Sequence, residues 1–124
     1  MTKKILLIED DADIATISGE LLRSAGLDVL VATSVEKAIA ACAETTPDLA
    51  LVDIRLPGQN GFEFVRRVRA DDRFHDMRVA IYTVHEGEAA LMAEAEELGV
   101  DAYLSKSQTE VLVDSVRRLL ATPV

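Results

Sequence analysis

The sequence predicts an α/β fold: a doubly wound, five-stranded parallel sheet in the order 2-1-3-4-5, with helices on both faces. Three observations predict it. Short apolar runs alternate with longer stretches of helical period along the whole chain. The runs are continuous rather than alternating, as strands covered on both faces must be. The length, 124 residues, suits one domain around a single core. Right-handed crossovers between such strands place helices on both sides of the sheet.

The first strand is read at Ile5–Ile8, followed at once by Glu9, Asp10 and Asp11. Asp11 is the expected N-cap of the first helix, where an acid also meets the positive end of the helix dipole. Ile14, Ile17 and Leu21 recur at i, i+3 and i+7 and are expected to form that helix's core face, with Gly26 as its stop. The second strand is read at Val29–Ala32. Thr33 with Glu36 then predicts a capping box for the helix in "TSVEKAIAACAE", which Pro47 ends. The third strand, Leu49–Val52, runs into Asp53 and the loop "IRLPGQNG". Phe64, Val65 and Val68 line a third helix whose other face is basic, with Arg66, Arg67 and Arg69. The fourth strand is read at Val79–Tyr82, and its helix from about Glu86 to Leu98, stopping at Gly99. The fifth strand is Ala102–Leu104, and the last helix carries Val111, Leu112, Val116 and Leu119, chiefly as core.

Composition narrows the function classes. A formal charge of −9 opposes a polyphosphate backbone, so direct nucleic-acid binding is not expected. No apolar run approaches the roughly 18 residues of a membrane span. The start "MTKKILLIEDD" has acids directly after its apolar run and no small-residue cleavage site, unlike a signal peptide. The single cysteine, Cys42, falls in an alanine-rich helical stretch and reads as a small packed residue. These features fit a cytoplasmic protein. Residues 1–124 are expected to be one domain with no second module in this chain, either a stand-alone unit or a piece of a longer protein.

In an open sheet of this order, ligands bind at the carboxyl ends of the strands, in the crevice where the strand order reverses. Four strand ends carry polar groups: Glu9 and Asp10 after the first, Asp53 after the third, Thr83 after the fourth and Lys106 after the fifth. Carboxylates converging from the first and third strands repel one another unless a cation joins them. Oxygen donors without a thiolate or histidine select a hard ion such as Mg²⁺. A lysine ammonium and a threonine hydroxyl can then hold the oxygens of a phosphoryl group, and a carboxylate can accept one. Each residue alone has a plain reading, as turn, cap, β-former or loop charge. The conjunction points to phosphoryl transfer onto Asp53 followed by slow hydrolysis.

With "ILLIEDDADI", "PDLALVDIRLPGQNGFEFVRRVR", "VAIYT" and "GVDAYLSK" in place, the chain resembles the receiver domain of bacterial response regulators, a flavodoxin-like fold, over essentially its whole length. The resemblance implies that Glu9 and Asp10 are the acidic pair binding Mg²⁺, or Mn²⁺ in its place, with Asp10 the direct ligand. It implies Asp53 as phosphoacceptor and second metal ligand, and Arg55 as a ligand through its backbone carbonyl alone. Thr83 would be the switch hydroxyl, Lys106 the phosphate-binding lysine and Tyr103 the aromatic that changes rotamer. Pro57 and Gly61 match the loop after the phosphorylated strand. Three departures stand out. Val84 replaces the small residue common after the threonine and would narrow the pocket mouth. Ser107 replaces a proline that follows a cis peptide bond in the family; cis before serine costs about 2.5 to 4 kcal/mol, so a trans bond in an altered loop is one expectation and a strained exception the other. Arg55 and His85 flank the pocket, where residue type tunes the lifetime of the phosphoryl group.

The implied partners are a sensor histidine kinase or histidine phosphotransfer protein as donor, and a downstream protein bound through the face of the fourth helix, fifth strand and fifth helix. A dimer through that face is a further expectation. A hydrolase of the haloacid dehalogenase type needs an Asp-x-Asp pair that "DIR" lacks, and a dinucleotide domain needs a glycine-rich first loop that "EDDADI" is not. The remaining alternative is a degenerate receiver that signals by contact without phosphorylation.

Overall fold

The computed structural model describes residues 2–56, 58–84 and 88–121. Pro57, His85 and the start of the fourth helix expected at Glu86 lie outside the described residues. Five parallel strands form the main sheet: β1 (Lys4–Ile8), β2 (Asp28–Ala32), β3 (Leu49–Val52), β6 (Arg78–Thr83) and β7 (Ala102–Ser105). Between β3 and the third helix lies a two-stranded antiparallel ribbon, β4 (Arg55–Leu56) and β5 (Gln59–Asn60). The sheet order is β2-β1-β3-β6-β7, which is the predicted 2-1-3-4-5 once the ribbon is set aside. The helices are α1 (Ala12–Ser24), α2 (Val35–Glu44), α3 (Phe62–Arg69), α4 (Ala89–Glu97) and α5 (Leu112–Ala121).

Alternate residues of the central strands feed two cores. Ile5, Leu7, Leu49, Leu51, Ala80 and Tyr82 pack under α1 and α5, against Leu22, Leu112 and Val116. Leu6, Ile8, Ala50, Val52, Val79 and Ile81 pack under α2, α3 and α4, against Val35, Cys42, Phe64, Val68 and Ala95. Every residue of β3 is buried, which is why "LALV" carries no polar side chain. β2 and β7 are the edges and are only partly covered. Arg69 of α3 fastens the far end of the sheet, donating to the carbonyls of Met77 and Gly99 and to Asp101.

Three local expectations are corrected. In α1 the buried positions are Ala15, Ser18, Gly19 and Leu22, while Ile17 is 54% and Leu21 37% exposed. The stripe combines the small residues Ala15, Ser18 and Gly19 with Leu22, and Ile14 is partly buried against the same core as expected, while Ile17 and Leu21 turn outward. At α2 the cap is Ser34, whose Oγ accepts the N–H of Lys37, rather than Thr33. Thr33 instead accepts from the Lys37 ammonium, and Glu36 pairs with Arg67 of α3. In α5, Leu112 and Val116 are core as expected, but Val111 is 43% exposed in a 3₁₀ turn ahead of the helix.

Candidate functional site

The parallel register sets the site. Ile8 of β1 lies opposite Val52 of β3, so both strands end level and release Glu9 and Asp53 into one crevice. Main-chain bonds continue the pairing past the strand ends: Glu9 N–H donates to the Ala32 carbonyl at 2.9 Å and Asp53 N–H to the Ile8 carbonyl at 3.1 Å. Asp11 caps α1, its Oδ1 accepting the N–H groups of Asp13 and Ile14 at 2.9 and 3.1 Å. That cap leaves Asp10 exposed and turned to solvent at the rim. Glu9 and Asp53 are buried, at 1% and 8% exposure. One carboxylate oxygen from each of Glu9, Asp10 and Asp53 lies within 4.8 Å of the others.

Lys106 enters from β7. Its ammonium donates to Asp53 Oδ2 at 2.9 Å and forms an ion pair with Glu9 Oε1. Burial pushes the Glu9 carboxyl above the ordinary glutamate range, and the Lys106 ammonium only partly offsets this. Burial works against the lysine's charge too, but Glu9 and Asp53 together outweigh it and hold Lys106 above the ordinary lysine range. Three carboxylates facing one ammonium leave the crevice with excess negative charge, which a hard divalent cation relieves. The oxygen-only donor set of Glu9, Asp10 and Asp53 fits such an ion.

Gly61 reaches the site through its backbone. Gly61 opens α3, and its N–H donates to the Ile54 carbonyl. A Cβ at Gly61 would stand 1.9 Å from the Asp53 carbonyl oxygen, so only glycine permits this approach. The ribbon β4–β5 makes that approach possible by folding the loop back, and Asn60 Oδ1 accepts the Phe62 N–H as the chain enters α3. Arg55 lies on the ribbon with its side chain exposed.

Thr83 ends β6 fully buried and lies opposite Ser105 in register. Tyr103, opposite Ile81, is half-buried against the α2–α4 core. Val84 is 58% exposed. His85 lies outside the described residues. No cis peptide bond occurs among the described residues, so Lys106–Ser107 is trans. A hydroxyl pair occupies that turn, Ser105 Oγ to Ser107 Oγ at 2.7 Å.

Two features of the site are not legible in the sequence. The Glu9–Lys106 pair was not foreseen, because the two residues were assigned to different ligands. Tyr82 Oη lies 2.8 Å from Ser18 Oγ, a buried bond tying α1 to β6, with the Lys106 ammonium 5.9 Å from the tyrosine ring centroid. A lone serine amid the small residues of α1 was the available signal.

Residues 5–117 match the family described as "Response regulator receiver domain". The chain is 34% identical over 104 residues to the phosphate regulon transcriptional regulatory protein PhoB of Pseudomonas aeruginosa, covering 84% of this chain and 45% of that protein. It is 29% identical over 121 residues to sporulation initiation phosphotransferase F of Bacillus subtilis, covering 97% of this chain and 95% of that one. It therefore spans under half of the PhoB relative but nearly all of the phosphotransferase. Among solved structures, Vibrio cholerae chemotaxis protein CheY4 superposes with a TM-score of 0.89 at 25% identity, covering 96% of this chain and 99% of that one. The BeF3-activated receiver domain of Klebsiella pneumoniae RstA gives 0.86 at 27% identity, covering 97% and 100%.

Proposed function

The chain belongs to the response regulator receiver domain family of two-component systems, and on that premise we propose that it accepts a phosphoryl group on Asp53 from a phosphohistidine donor. The observation that carries this reading is the Lys106 ammonium on Asp53 Oδ2, inside a cluster of three convergent carboxylates. An Asp53 oxygen attacks phosphorus, the P–N bond to the donor imidazole breaks, and its electron pair stays on that nitrogen. Water later attacks the phosphorus of the acyl phosphate, releasing inorganic phosphate and restoring the carboxylate.

This chain's residues prepare that exchange. Lys106 moves its ammonium from Asp53 Oδ2 to a phosphoryl oxygen, and the Thr83 hydroxyl donates to another. Asp10, Asp53 and the Arg55 backbone carbonyl would hold Mg²⁺, or Mn²⁺ in its place, with Glu9 completing the acidic pair. When bound, the ion would supply charge neutralisation at the phosphoryl oxygens. Val84, Arg55 and His85 tune access to the acceptor and the lifetime of the phosphoryl group.

Donor docking falls to α1, whose Ile17 and Leu21 are exposed. The donor is a sensor histidine kinase or a histidine phosphotransfer protein in the cytoplasm. Output leaves by the face of α4, β7 and α5. Thr83 drawn toward phosphate lets Tyr103 turn inward, a population shift governed by the difference in contacts between two states. A downstream protein, or a second copy, binds the altered face. Among the described residues no helix is long and apolar enough to cross a membrane.

Intact mass after incubation with Mg²⁺ and a small phosphodonor tests the reading. The wild type gains one phosphoryl group and Asp53→Ala none. Failure of both, at donor levels that modify another receiver, would favour signalling by contact alone.

A further inference from the structure

We propose that Ser105 is a positioning residue for Lys106, its hydroxyl holding the turn that aims the ammonium at Asp53. This rests on the reading of Asp53 as phosphoacceptor. Lys106 is the first residue beyond β7, where the sheet no longer fixes the chain. Its ammonium must nonetheless stay where a phosphoryl group would be built, since a displacement of about 1 Å at such a group slows chemistry by up to about 100-fold.

Four hydrogen bonds define the turn. Lys106 N–H donates to the Thr83 carbonyl at 2.9 Å, extending the β6–β7 pairing by one residue. Ser107 N–H donates to Ser105 Oγ at 3.1 Å, and the two hydroxyls lie 2.7 Å apart. Gln108 N–H donates to the Ser105 carbonyl at 3.3 Å. Lys106 is thus bracketed. Its own N–H is anchored to Thr83, and the next two N–H groups are both gathered onto Ser105, one by the hydroxyl and one by the carbonyl. The side chain between them then reaches Asp53 Oδ2 at 2.9 Å. A serine hydroxyl accepting from the second residue on is a local clamp that a proline at 107, lacking an N–H, could not use. Removing the hydroxyl leaves the Ser107 N–H without that acceptor and frees the lysine backbone to rotate.

The test uses Ser105→Ala and Ser105→Val against Ser105→Thr in the full chain. Valine matches threonine in shape and strand preference but has no hydroxyl, so the Val–Thr pair isolates the bond even if the alanine variant folds poorly. Two quantities are read: the exchange protection of the Lys106 ammonium protons by NMR without any donor, and the phosphorylation rate at saturating small phosphodonor and Mg²⁺. The expected result is loss of ammonium protection and a roughly tenfold lower saturating rate in Ala and Val, with donor KM and Mg²⁺ affinity unchanged and both losses restored in Thr. Ammonium protection and rate like wild type in Val, with only the melting temperature lowered, would overturn the proposal and leave Ser105 as a turn stabiliser. If the wild type takes no phosphoryl group, the phosphoacceptor reading fails, while ammonium protection alone still decides whether Ser105 positions Lys106.

Discussion

Lys106 meets two buried carboxylates at once, and the balance of that contact sets what single substitutions do. Removing one partner of a buried ion pair strands the other charge, at a cost of about 3 kcal/mol. Lys106→Met is therefore expected to lose about 3 kcal/mol of unfolding free energy in chelator near neutral pH. Because the stranded carboxylates then repel without a counter-charge, Mg²⁺ should recover part of the loss, and urea unfolding with and without Mg²⁺ measures both. The lysine's raised pKa carries its own sign. Its stabilisation is complete below the ordinary lysine value and is lost as pH rises through the folded value. Cys42 gives a cleaner window. Burial, with 1% of the residue exposed, pushes its thiol from 9.0 up to about 11. The unfolded chain ionises first, so stability falls as pH climbs from 9 toward 11, by on the order of 2 kcal/mol. Cys42→Ala should show a shallower decline over that window than the wild type in parallel urea titrations. Equal slopes would mean that the thiol is hydrated in the folded state.

Among the elements, the ribbon β4–β5 and the start of α3 matter most to the site, because they bring Gly61 against the Asp53 carbonyl. Gly61→Ala forces that backbone apart and is expected to cost about 3 kcal/mol, as overpacking does, and to disturb Asp53 as well. A urea midpoint like that of the wild type would show that the loop yields freely. The two faces of α1 give a paired prediction. Leu22→Ala, in the core, should lose about 2–5 kcal/mol, whereas Ile17→Ser, in solvent, should stay within about 0.5 kcal/mol. Yet Ile17→Ser should slow transfer from a histidine donor protein and leave the small-phosphodonor rate untouched. The helical period of α1 was legible in the sequence, but its facing was not. Hydrophobicity ranks Ile17 and Leu21 as core, while packing on the sheet selects Ala15, Ser18, Gly19 and Leu22. The cap shift from Thr33 to Ser34 has a similar origin: neighbouring hydroxyls compete for one N–H, and only the final backbone angles decide between them.

At the level of the whole molecule, parallel order converts short-range sequence patterns into one long-range site. Glu9, Asp53, Thr83 and Lys106 are scattered over the chain, yet each follows or ends a strand, and the sheet order alone brings the strand ends together. That much could be read in advance, because continuous apolar runs mark the strands and the reversal point marks the crevice. What could not be read was how charges within the crevice pair. Lys106 takes both Glu9 and Asp53, a choice set by side-chain reach across three strands and not by local pattern. The ribbon after β3 escaped notice as well, since strands of two residues carry no periodicity. On the proposed reading, the acidic crevice of Glu9, Asp10 and Asp53 would make a divalent cation a stabilising ligand. Mg²⁺ should raise the melting temperature in a concentration-dependent way, and Asp10→Asn should weaken the response.

The central claim is that the carboxylate at residue 53, among the three gathered here, receives the phosphoryl group. Peptide mass mapping after treatment with Mg²⁺ and a phosphodonor, then borohydride reduction, tests it most directly, because reduction of an aspartyl phosphate leaves homoserine at the acceptor position. The expected result is homoserine at position 53 and unaltered Glu9 and Asp10. Reduction product at Asp10 or at a surface carboxylate, with Asp53 intact, would contradict the account.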